Sequence, residues 1–159
     1  MFELLISERL NVGYRLCAEF SENQLEKLEY DFVELIKKPY YMLGSDTLPL
    51  NKFPHPRSYG AFAKMCRLAV KHNLGFDIVA NRMCFSPARL FKLKNRGEIK
   101  ENNFADIIIF DKNVFGETSS FDNPKEYAKG MKYVIVNGKI AVSCGQITSV
   151  RAGKTIKAN

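Results

Sequence analysis

The sequence of 159 residues has no tryptophan, only two histidines and only four cysteines. Two histidines cannot form a three-histidine metal site. Neither a CxxC pair nor another metal-ligand spacing occurs among Cys17, Cys66, Cys84 and Cys144. The cysteines are therefore predicted to be buried, reduced thiols, and a cytoplasmic location is expected.

Long apolar runs are also missing. No run exceeds four residues, as in residues 40–43, whereas a membrane helix needs about 18 or more. The first ten residues place Glu3 and Glu8 around a three-residue apolar run, so neither export nor a membrane span is predicted. Hydrophobic residues make up 46% and charged residues 26% of the chain, which is typical of one globular domain.

Basic residues outnumber acidic ones by 24 to 17, and the excess is uneven. Residues 1–39 carry a net charge of −3 and residues 40–159 a net charge of +10. A local cluster consists of Arg89, Lys92, Lys94, Arg96 and Lys100. Such a cluster either binds an anion or forms a solvated face. The solvated face is preferred because no aromatic residues alternate with the cations, and neither nucleic acid nor a membrane is predicted as a partner.

The first half of the sequence predicts helices around one strand. Ser21-Glu22-Asn23-Gln24 is a capping box, and an apolar stripe follows it up to Pro39 at Leu25, Leu28, Phe32, Leu35 and Ile36. The wholly apolar residues 40–43 are typical of a strand buried on both faces of a parallel sheet. A proline-containing loop is expected over residues 47–59.

Helical patterns resume near Gly60 and continue to about residue 93. A second stripe is formed by Phe62, Met65, Cys66, Ala69 and Val70, with Gly75 as its stop signal. Residues 76–84 predict a shorter helix, and Ser86-Pro87 opens another. Leu90, Phe91 and Leu93 are expected to face inward from that last helix.

From about residue 97 the pattern becomes β-rich. Residues 104–110 predict one strand, and residues 133–136 and 139–142 predict a hairpin through Asn137-Gly138. The change of pattern predicts two unlike parts, residues 1–96 and 97–159, joined near residues 94–100.

Three residues near the predicted strand are candidates for chemistry. Asp46 follows that strand at the end where β/α enzymes carry their reacting groups, so it is either a general acid/base or a turn aspartate. Arg57 could bind a carboxylate with paired hydrogen bonds, or it is a surface residue, and His55 lies beside it. His72 is predicted to face solvent without a role.

Known nucleotide-binding and nucleophile motifs do not account for the sequence. Gly153-Lys154-Thr155 resembles the end of a P-loop, but Thr148 occupies the position of the required first glycine. No GxSxG, HExxH or GxGxxG motif occurs. The residues alone therefore do not predict a complete active site.

The order and spacing of several motifs resemble the C-terminal part of the N-acyl-D-amino-acid deacylases, or D-aminoacylases, of the metal-dependent amidohydrolase superfamily. The more specific motifs are Tyr41-Met42-Leu43-Gly44-Ser45-Asp46 and His55-Pro56-Arg57-Ser58-Tyr59-Gly60. The others are SENQ at 21–24, SPAR at 86–89, RGEI at 96–99, FADIIIFD at 104–111 and YVIVNG at 133–138. FADIIIFD and the VNGK element mark only the superfamily's shared β-domain.

This resemblance implies an α/β fold. The chain is expected to be the C-terminal fragment of a (β/α)8 amidohydrolase barrel, with its last strand and helices, followed by strands of a small composite β-sandwich domain. By the same resemblance Asp46 is the catalytic acid/base, and Arg57 binds the α-carboxylate of an N-acyl-D-amino acid. His55 and Ser45 are implied as further substrate-binding residues.

The resemblance also implies zinc in the complete enzyme, with metal ligands upstream of the matched region and none in this chain. A barrel needs eight strands over about 250 residues, so this chain alone is expected to be inactive. Thr47 stands where the family commonly has glycine, and Asn102-Asn103 replaces a glycine-bearing turn. Three alternatives remain open: a non-catalytic binding module, a remnant of a truncated gene, and one half of a split deacylase that needs a partner polypeptide.

Overall fold

The computed structural model describes residues 20–47 and 54–156. Over these residues four α-helices and one π-helical turn precede a four-stranded antiparallel sheet. The helices are α1 (Glu22–Ile36), α2 (Arg57–Lys71), α3 (Phe76–Ala80) and α4 (Ser86–Leu90), with the π-helical turn Asn81–Phe85 between α3 and α4. The strands are β1 (Ile107–Phe110), β2 (Met131–Val136), β3 (Lys139–Ser143) and β4 (Gln146–Ile147). The predictions for the first ten residues and for Cys17 lie outside the described residues.

Helix α1 begins at the predicted capping box. The Ser21 backbone N–H donates to Gln24 Oε1 at 2.9 Å, which satisfies one of the free N–H groups at the helix start. Of the predicted apolar stripe only Ile36 is fully buried; Val33, which the stripe did not include, is buried, and Leu35 is 42% exposed. Leu25 and Leu28 of the same stripe remain about half exposed.

Helix α2 begins earlier than predicted and ends differently. Its first residue is Arg57 and its N-cap is Pro56, whose fixed backbone geometry suits a helix start. At the other end Asn73, with φ +51°, takes the left-handed conformation that had been expected of Gly75. The Leu74 N–H then closes on the Ala69 carbonyl at 2.8 Å, so an asparagine-based cap stops the helix.

The predicted strand at residues 40–43 does not form. Residues 41–47 form neither helix nor strand, and they join no sheet among the described residues. Tyr41 and Leu43 still pack against the core, and the Leu43 N–H donates to the Arg82 carbonyl at 3.4 Å. The apolar residues of this segment pack against the core, but a strand also requires a neighbouring strand to accept its hydrogen bonds.

The inward orientation predicted after α4 is wrong for two of three residues. Leu90 and Phe91 are 59% and 64% exposed, whereas Leu93 is half-buried. Helix α4 is only five residues long, and Lys92, with φ +54°, reverses the chain immediately after it. The reversal returns Leu93 to the helix, where its N–H binds the Ala88 carbonyl, and leaves the two preceding residues in solvent.

The β-rich half confirms the predicted hairpin. Asn137 and Gly138 both have positive φ, at +47° and +79°, as the tight turn between β2 and β3 requires. The strand predicted at 104–110 is shorter than expected and begins at Ile107. Just before it, the Ala105 carbonyl accepts the Gly138 N–H at 2.9 Å and the Asp106 carboxylate accepts the Asn137 N–H at 2.8 Å, so these two residues contact the hairpin turn.

Arg96 fastens the turn of this hairpin to the end of the helical part. Its guanidinium is only 13% exposed, forms an ion pair with Asp106 and donates to Asn137 Oδ1 at 2.6 Å. It also lies over the Phe104 ring, 4.3 Å from the centroid. Arg96 of the basic cluster is thus an internal structural residue and not part of a solvated face.

One apolar core is shared by the helices and by the region around the sheet. Phe115, which follows β1, belongs to the same buried cluster as Ile36, Met65 and Ala69. Phe110 and Met131 pack against that cluster from β1 and β2. None of the helices in residues 20–47 and 54–156 is long and apolar enough to cross a membrane.

The cysteines match the prediction only in part. Cys66 is buried in the core, and this burial raises the pKa of its thiol to about 11. Cys84 and Cys144 are exposed, contrary to the prediction. All three are free thiols.

Residues 116–121, called here the crossing segment, connect the sheet region to α2. The segment is anchored where Gly116 and Lys129 exchange two backbone hydrogen bonds of 3.1 and 3.3 Å. It then passes so close to α2 that a Cβ atom at Gly60 would lie 2.5 Å from Ser119 Oγ and 2.9 Å from Glu117 Cβ. Glycine at position 60 therefore permits the close approach of the helix and the crossing segment.

Gly60→Ala is expected to destabilise the chain. Replacing an exposed glycine within a helix by alanine normally raises the free energy of unfolding by about 1 kcal/mol. Here the added methyl displaces the crossing segment, and such overpacking costs about 1–3 kcal/mol in total. Urea unfolding followed by circular dichroism measures the change. Gly153→Ala is the control, because nothing lies within 4 Å of a Cβ at that position. An increase in stability of the Gly60 variant would contradict the packing described here.

Candidate functional site

Asp46 and Arg57, two of the predicted site residues, are in direct contact. Asp46 lies in the irregular residues 41–47 and has a left-handed φ of +49°, and Arg57 is the first residue of α2. Arg57 Nη2 donates to Asp46 Oδ2 at 2.9 Å, although neither residue is buried. An ion pair this exposed contributes about 0–1 kcal/mol, so an incoming carboxylate can compete for the guanidinium.

His55 lies beside this pair and is held by two contacts. Its Nδ1 accepts the backbone N–H of Arg57 at 3.1 Å. Its ring packs edge-on against the Phe121 ring, with centroids 5.1 Å apart and an interplanar angle of 71°. The structure therefore brings His55 together with Arg57, as their closeness in sequence predicted.

Ser45 directly precedes Asp46. It is half-buried, and its Oγ accepts a hydrogen bond from Thr47 Oγ1 at 2.9 Å. Thr47 is the residue that stands where the resemblance to the deacylases implies glycine. Its hydroxyl fixes the orientation of the Ser45 side chain, an interaction that a glycine would not make.

These residues border a groove of about 640 Å³ that runs between α1, α2 and the crossing segment. Its polar lining residues are Glu29, Ser45, His55, Arg57, Lys64, Glu117, Ser119 and Ser120. Its apolar wall contains Leu25, Leu28, Phe32, Tyr41, Leu43, Leu68 and Phe121. Asp46 is not part of the wall and reaches the groove through its contact with Arg57. The groove has one polar edge at which a carboxylate can bind and a broad apolar remainder.

Sequence analysis missed the ion pair that joins α2 to the crossing segment. Arg67 Nε donates to Glu117 Oε2 at 2.9 Å and Arg67 Nη2 donates to Glu117 Oε1 at 2.7 Å. Burial of Glu117 opposes its charge, but the hydrogen bonds from Arg67 and from its own backbone outweigh this, and the pKa of the carboxyl is lowered. The two residues are 50 positions apart, and no local pattern signals such a pairing.

The prediction that His72 faces solvent is wrong. Its side chain is 25% exposed and its Nε2 lies 3.9 Å from Glu29 Oε2 on α1. Within the described residues that buried Nε2 has no hydrogen-bond partner. Lys71 takes the hydrogen bond of Glu29 instead, and this bond lowers the pKa of the Glu29 carboxyl.

The basic cluster lies apart from the groove and has mixed charge around it. Arg89, Arg96 and Lys100 line a second cavity of about 430 Å³, but Glu98 and Glu101 line it as well. Arg89 stacks on Phe85, 5.5 Å from the ring centroid. Opposed charges and occupied guanidinium groups make this cavity a poor anion site.

No metal site is present among residues 20–47 and 54–156. The structure contains, within those ranges, no group of three or more His, Cys, Asp or Glu side chains that could hold a metal ion. Asp46 and His55 could supply at most two ligands, whereas a zinc site needs at least three protein ligands. The described residues therefore do not fit zinc.

The contribution of the Arg67–Glu117 pair to the free energy of unfolding is expected to depend on pH. Because the pKa of Glu117 is lowered in the folded chain, its stabilisation is complete above the ordinary carboxyl value of 4.5 and is lost as the pH falls through the lowered value. Glu117→Gln is expected to reduce the free energy of unfolding by about 1 kcal/mol at pH 7, since Arg67 is 40% exposed and water screens the pair.

Urea titrations at pH 7 and pH 3 test this prediction. The difference between the wild-type chain and the Glu117→Gln variant should shrink toward zero at pH 3. Glu126→Gln serves as the control because Glu126 is an exposed carboxylate. An equal difference at both pH values would show that Glu117 stabilises the chain by packing alone.

Comparison with characterised proteins identifies relatives of this chain, although no family model matches it. It is 33% identical over 99 residues to N-acyl-D-glutamate deacylase and 32% identical over 118 residues to D-aminoacylase, both from Alcaligenes xylosoxydans xylosoxydans. The matches cover 61% and 72% of this chain. They cover 20% and 24% of the relatives, so the chain spans about a fifth to a quarter of their length.

Solved structures agree with these relatives. A crystal structure of D-aminoacylase, described as defining a novel subset of amidohydrolases, superposes with a TM-score of 0.72 at 28% identity. The alignment covers 78% of this chain and 27% of that enzyme. N-acyl-D-glutamate deacylase from Bordetella bronchiseptica, complexed with zinc and a phosphonate inhibitor, gives a TM-score of 0.65 at 30% identity over 73% of this chain and 24% of that one. The chain is thus homologous to a portion of the N-acyl-D-amino-acid deacylases, the D-aminoacylase group of the amidohydrolases, and the match is consistent with their C-terminal part.

Proposed function

We propose that this chain is the C-terminal portion of a zinc-dependent hydrolase that cleaves the amide bond of N-acyl-D-amino acids. The observation that carries the proposal is the contact between Arg57 and Asp46 at the polar edge of the groove. The two residues belong to the two motifs most specific to the deacylases, and the fold brings them within hydrogen-bond distance. The names and structures of the relatives support the same reaction class.

Arg57 binds the α-carboxylate of the substrate in this proposal. A guanidinium has five N–H donors, and only the Nη2 contact is used to hold Asp46. The planar group can therefore bind a carboxylate with two parallel hydrogen bonds. Arg57 thereby fixes one end of the substrate at the mouth of the groove, with His55 and Ser45 as the neighbouring polar contacts.

Asp46 is the acid/base of the reaction. It accepts the proton of the attacking water and later donates a proton to the departing amine nitrogen. The Asp46 side chain is 85% exposed, so its carboxylate is open to a substrate that Arg57 holds. The contact with Arg57 also holds Asp46 beside the carboxylate-binding guanidinium before the substrate binds.

Zinc is assigned to the complete enzyme, outside the residues that the structure describes. The described residues do not fit a metal site, whereas one relative was crystallised with zinc. The metal ligands therefore come from residues other than those described here. Carboxylate binding by Arg57 and proton transfer by Asp46 do not require a metal ligand from the described residues.

The same proposal assigns the architecture. Residues 41–47 correspond to the last barrel strand, and α1 and α2 to helices around it. The four-stranded antiparallel sheet corresponds to the C-terminal strands of the composite β-sandwich, with the boundary between residues 96 and 97. In the complete enzyme, neighbouring strands then pair with residues 41–47. These strands belong either to the same polypeptide or to a partner chain of a split deacylase.

The 159-residue chain alone is expected to be inactive. Purified chain incubated with zinc and N-acetyl-D-glutamate should release no free D-glutamate, because the described residues provide no metal site. D-aminoacylase and N-acyl-D-glutamate deacylase assayed in parallel provide the positive controls. Zinc-stimulated release of the free amino acid by the chain itself would contradict this expectation.

A hybrid enzyme tests the assigned roles. When the matched portion of D-aminoacylase is replaced by this chain, Asp46→Asn should lower kcat by about 10²–10⁴-fold, as expected for loss of a general acid/base. Arg57→Ala should mainly raise KM, because it removes carboxylate binding. Asp122→Asn, at an exposed aspartate, is the control. Wild-type kcat in the Asp46 variant would refute the proposal.

A further inference from the structure

The peptide group between Pro56 and Arg57 is hydrogen-bonded at both ends. On one side Ser119 Oγ, from the crossing segment, donates to the Pro56 carbonyl at 3.0 Å. On the other side the Arg57 N–H donates to His55 Nδ1 at 3.1 Å. This peptide group directly precedes the Arg57 Cα, so its orientation sets the direction in which the guanidinium leaves the helix.

The hydrogen bond from Ser119 comes from a distant part of the chain. Ser119 is 63 positions from Pro56, and the crossing segment that carries it is anchored to the sheet region through Gly116 and Lys129. The Pro56 carbonyl also accepts the N–H groups of Tyr59 and Gly60 at 3.0 Å. Ser119 therefore adds a tertiary hydrogen bond to a carbonyl that already forms the first turn of α2.

A second contact from the same segment acts on the same turn. The Phe121 ring packs against the His55 ring, and His55 is the acceptor for the Arg57 N–H. The Arg67–Glu117 ion pair and the close approach at Gly60 hold the segment against α2. The crossing segment thus contacts both ends of the peptide group, one directly and the other through His55.

We propose that Ser119 is a positioning residue for Arg57: its hydroxyl holds the peptide group that aims the guanidinium at the groove, with Phe121 supporting the opposite end. This inference rests on the proposed function for its consequence, which is carboxylate affinity. The position of Arg57 itself is measurable without any activity. The sheet region thereby controls the substrate-binding edge of the helical region through one hydroxyl group.

The test uses the full chain labelled with ¹⁵N, and N-acetyl-D-alanine as the probe, because its only carboxylate is the α-carboxylate. Nuclear magnetic resonance follows the Arg57 amide and the His55 Nδ1 signals and gives the affinity for the probe. The variants are Ser119→Ala, Ser119→Thr, which keeps the hydroxyl, and Phe121→Leu. Ser149→Ala, an exposed serine of the same region, is the matched control. Thermal unfolding confirms that each variant is folded.

Ser119→Ala should move both signals and weaken binding of the probe by about two- to tenfold, the effect of losing one hydrogen bond. Phe121→Leu should move the His55 signal in particular, and Ser119→Thr and Ser149→Ala should keep wild-type signals and affinity. A Ser119→Ala chain that is less stable but keeps the wild-type Arg57 signal and affinity overturns the proposal.

Failure of the proposed function has a different signature. If the wild-type chain does not bind N-acetyl-D-alanine but the Arg57 and His55 signals still respond to Ser119→Ala, the deacylase role of Arg57 fails and its positioning by Ser119 stands. If the signals do not respond to Ser119→Ala, the positioning role is wrong, whatever the chain binds.

Discussion

The contact between the crossing segment and α2 joins the two halves of this structure at their functional edge. The bidentate Arg67–Glu117 pair, the hydroxyl of Ser119 and the absence of a side chain at Gly60 all contribute to it. Each is polar or steric in nature. Together they supplement a core that the buried Phe115 joins from the sheet region. The orientation of the first turn of α2, and with it Arg57 and His55, depends on this contact.

The groove beside that edge shows why a homologous portion of an enzyme can keep its polar site and yet be incomplete. Leu25, Leu28 and Tyr41 present apolar surface on one side, where nothing among the described residues covers α1 and residues 41–47. Burial of such surface stabilises a protein by about 25 cal/mol per Å², so the exposed wall represents stabilisation that this portion does not obtain by itself. The polar edge does not share this deficit, because its contacts are made within the described residues.

Local sequence signals predicted the structure well where local forces decide it. The capping box at Ser21 and the Asn137-Gly138 turn are satisfied by hydrogen bonds and backbone angles within a few residues, and both are confirmed. The strand at 40–43 failed because a strand requires a partner. Leu90 and Phe91 failed because a left-handed residue, Lys92, reverses the chain directly after them. In both cases apolar residues were taken as evidence of regular, inward-facing structure. Residues 40–43 only pack against the core, and Leu90 and Phe91 do not pack inward at all.

The sequence by itself determined the candidate residues Asp46, His55 and Arg57, the helical and β-rich halves, and the resemblance to the deacylases, because each of these is written in motifs of a few residues. Only the tertiary structure decided that Arg57 contacts Asp46, that Arg96 is internal, and that Ser119 and Glu117 hold α2. These contacts join residues 10 to 63 positions apart. Their formation depends on where the packed core places each backbone, and no local pattern encodes that placement.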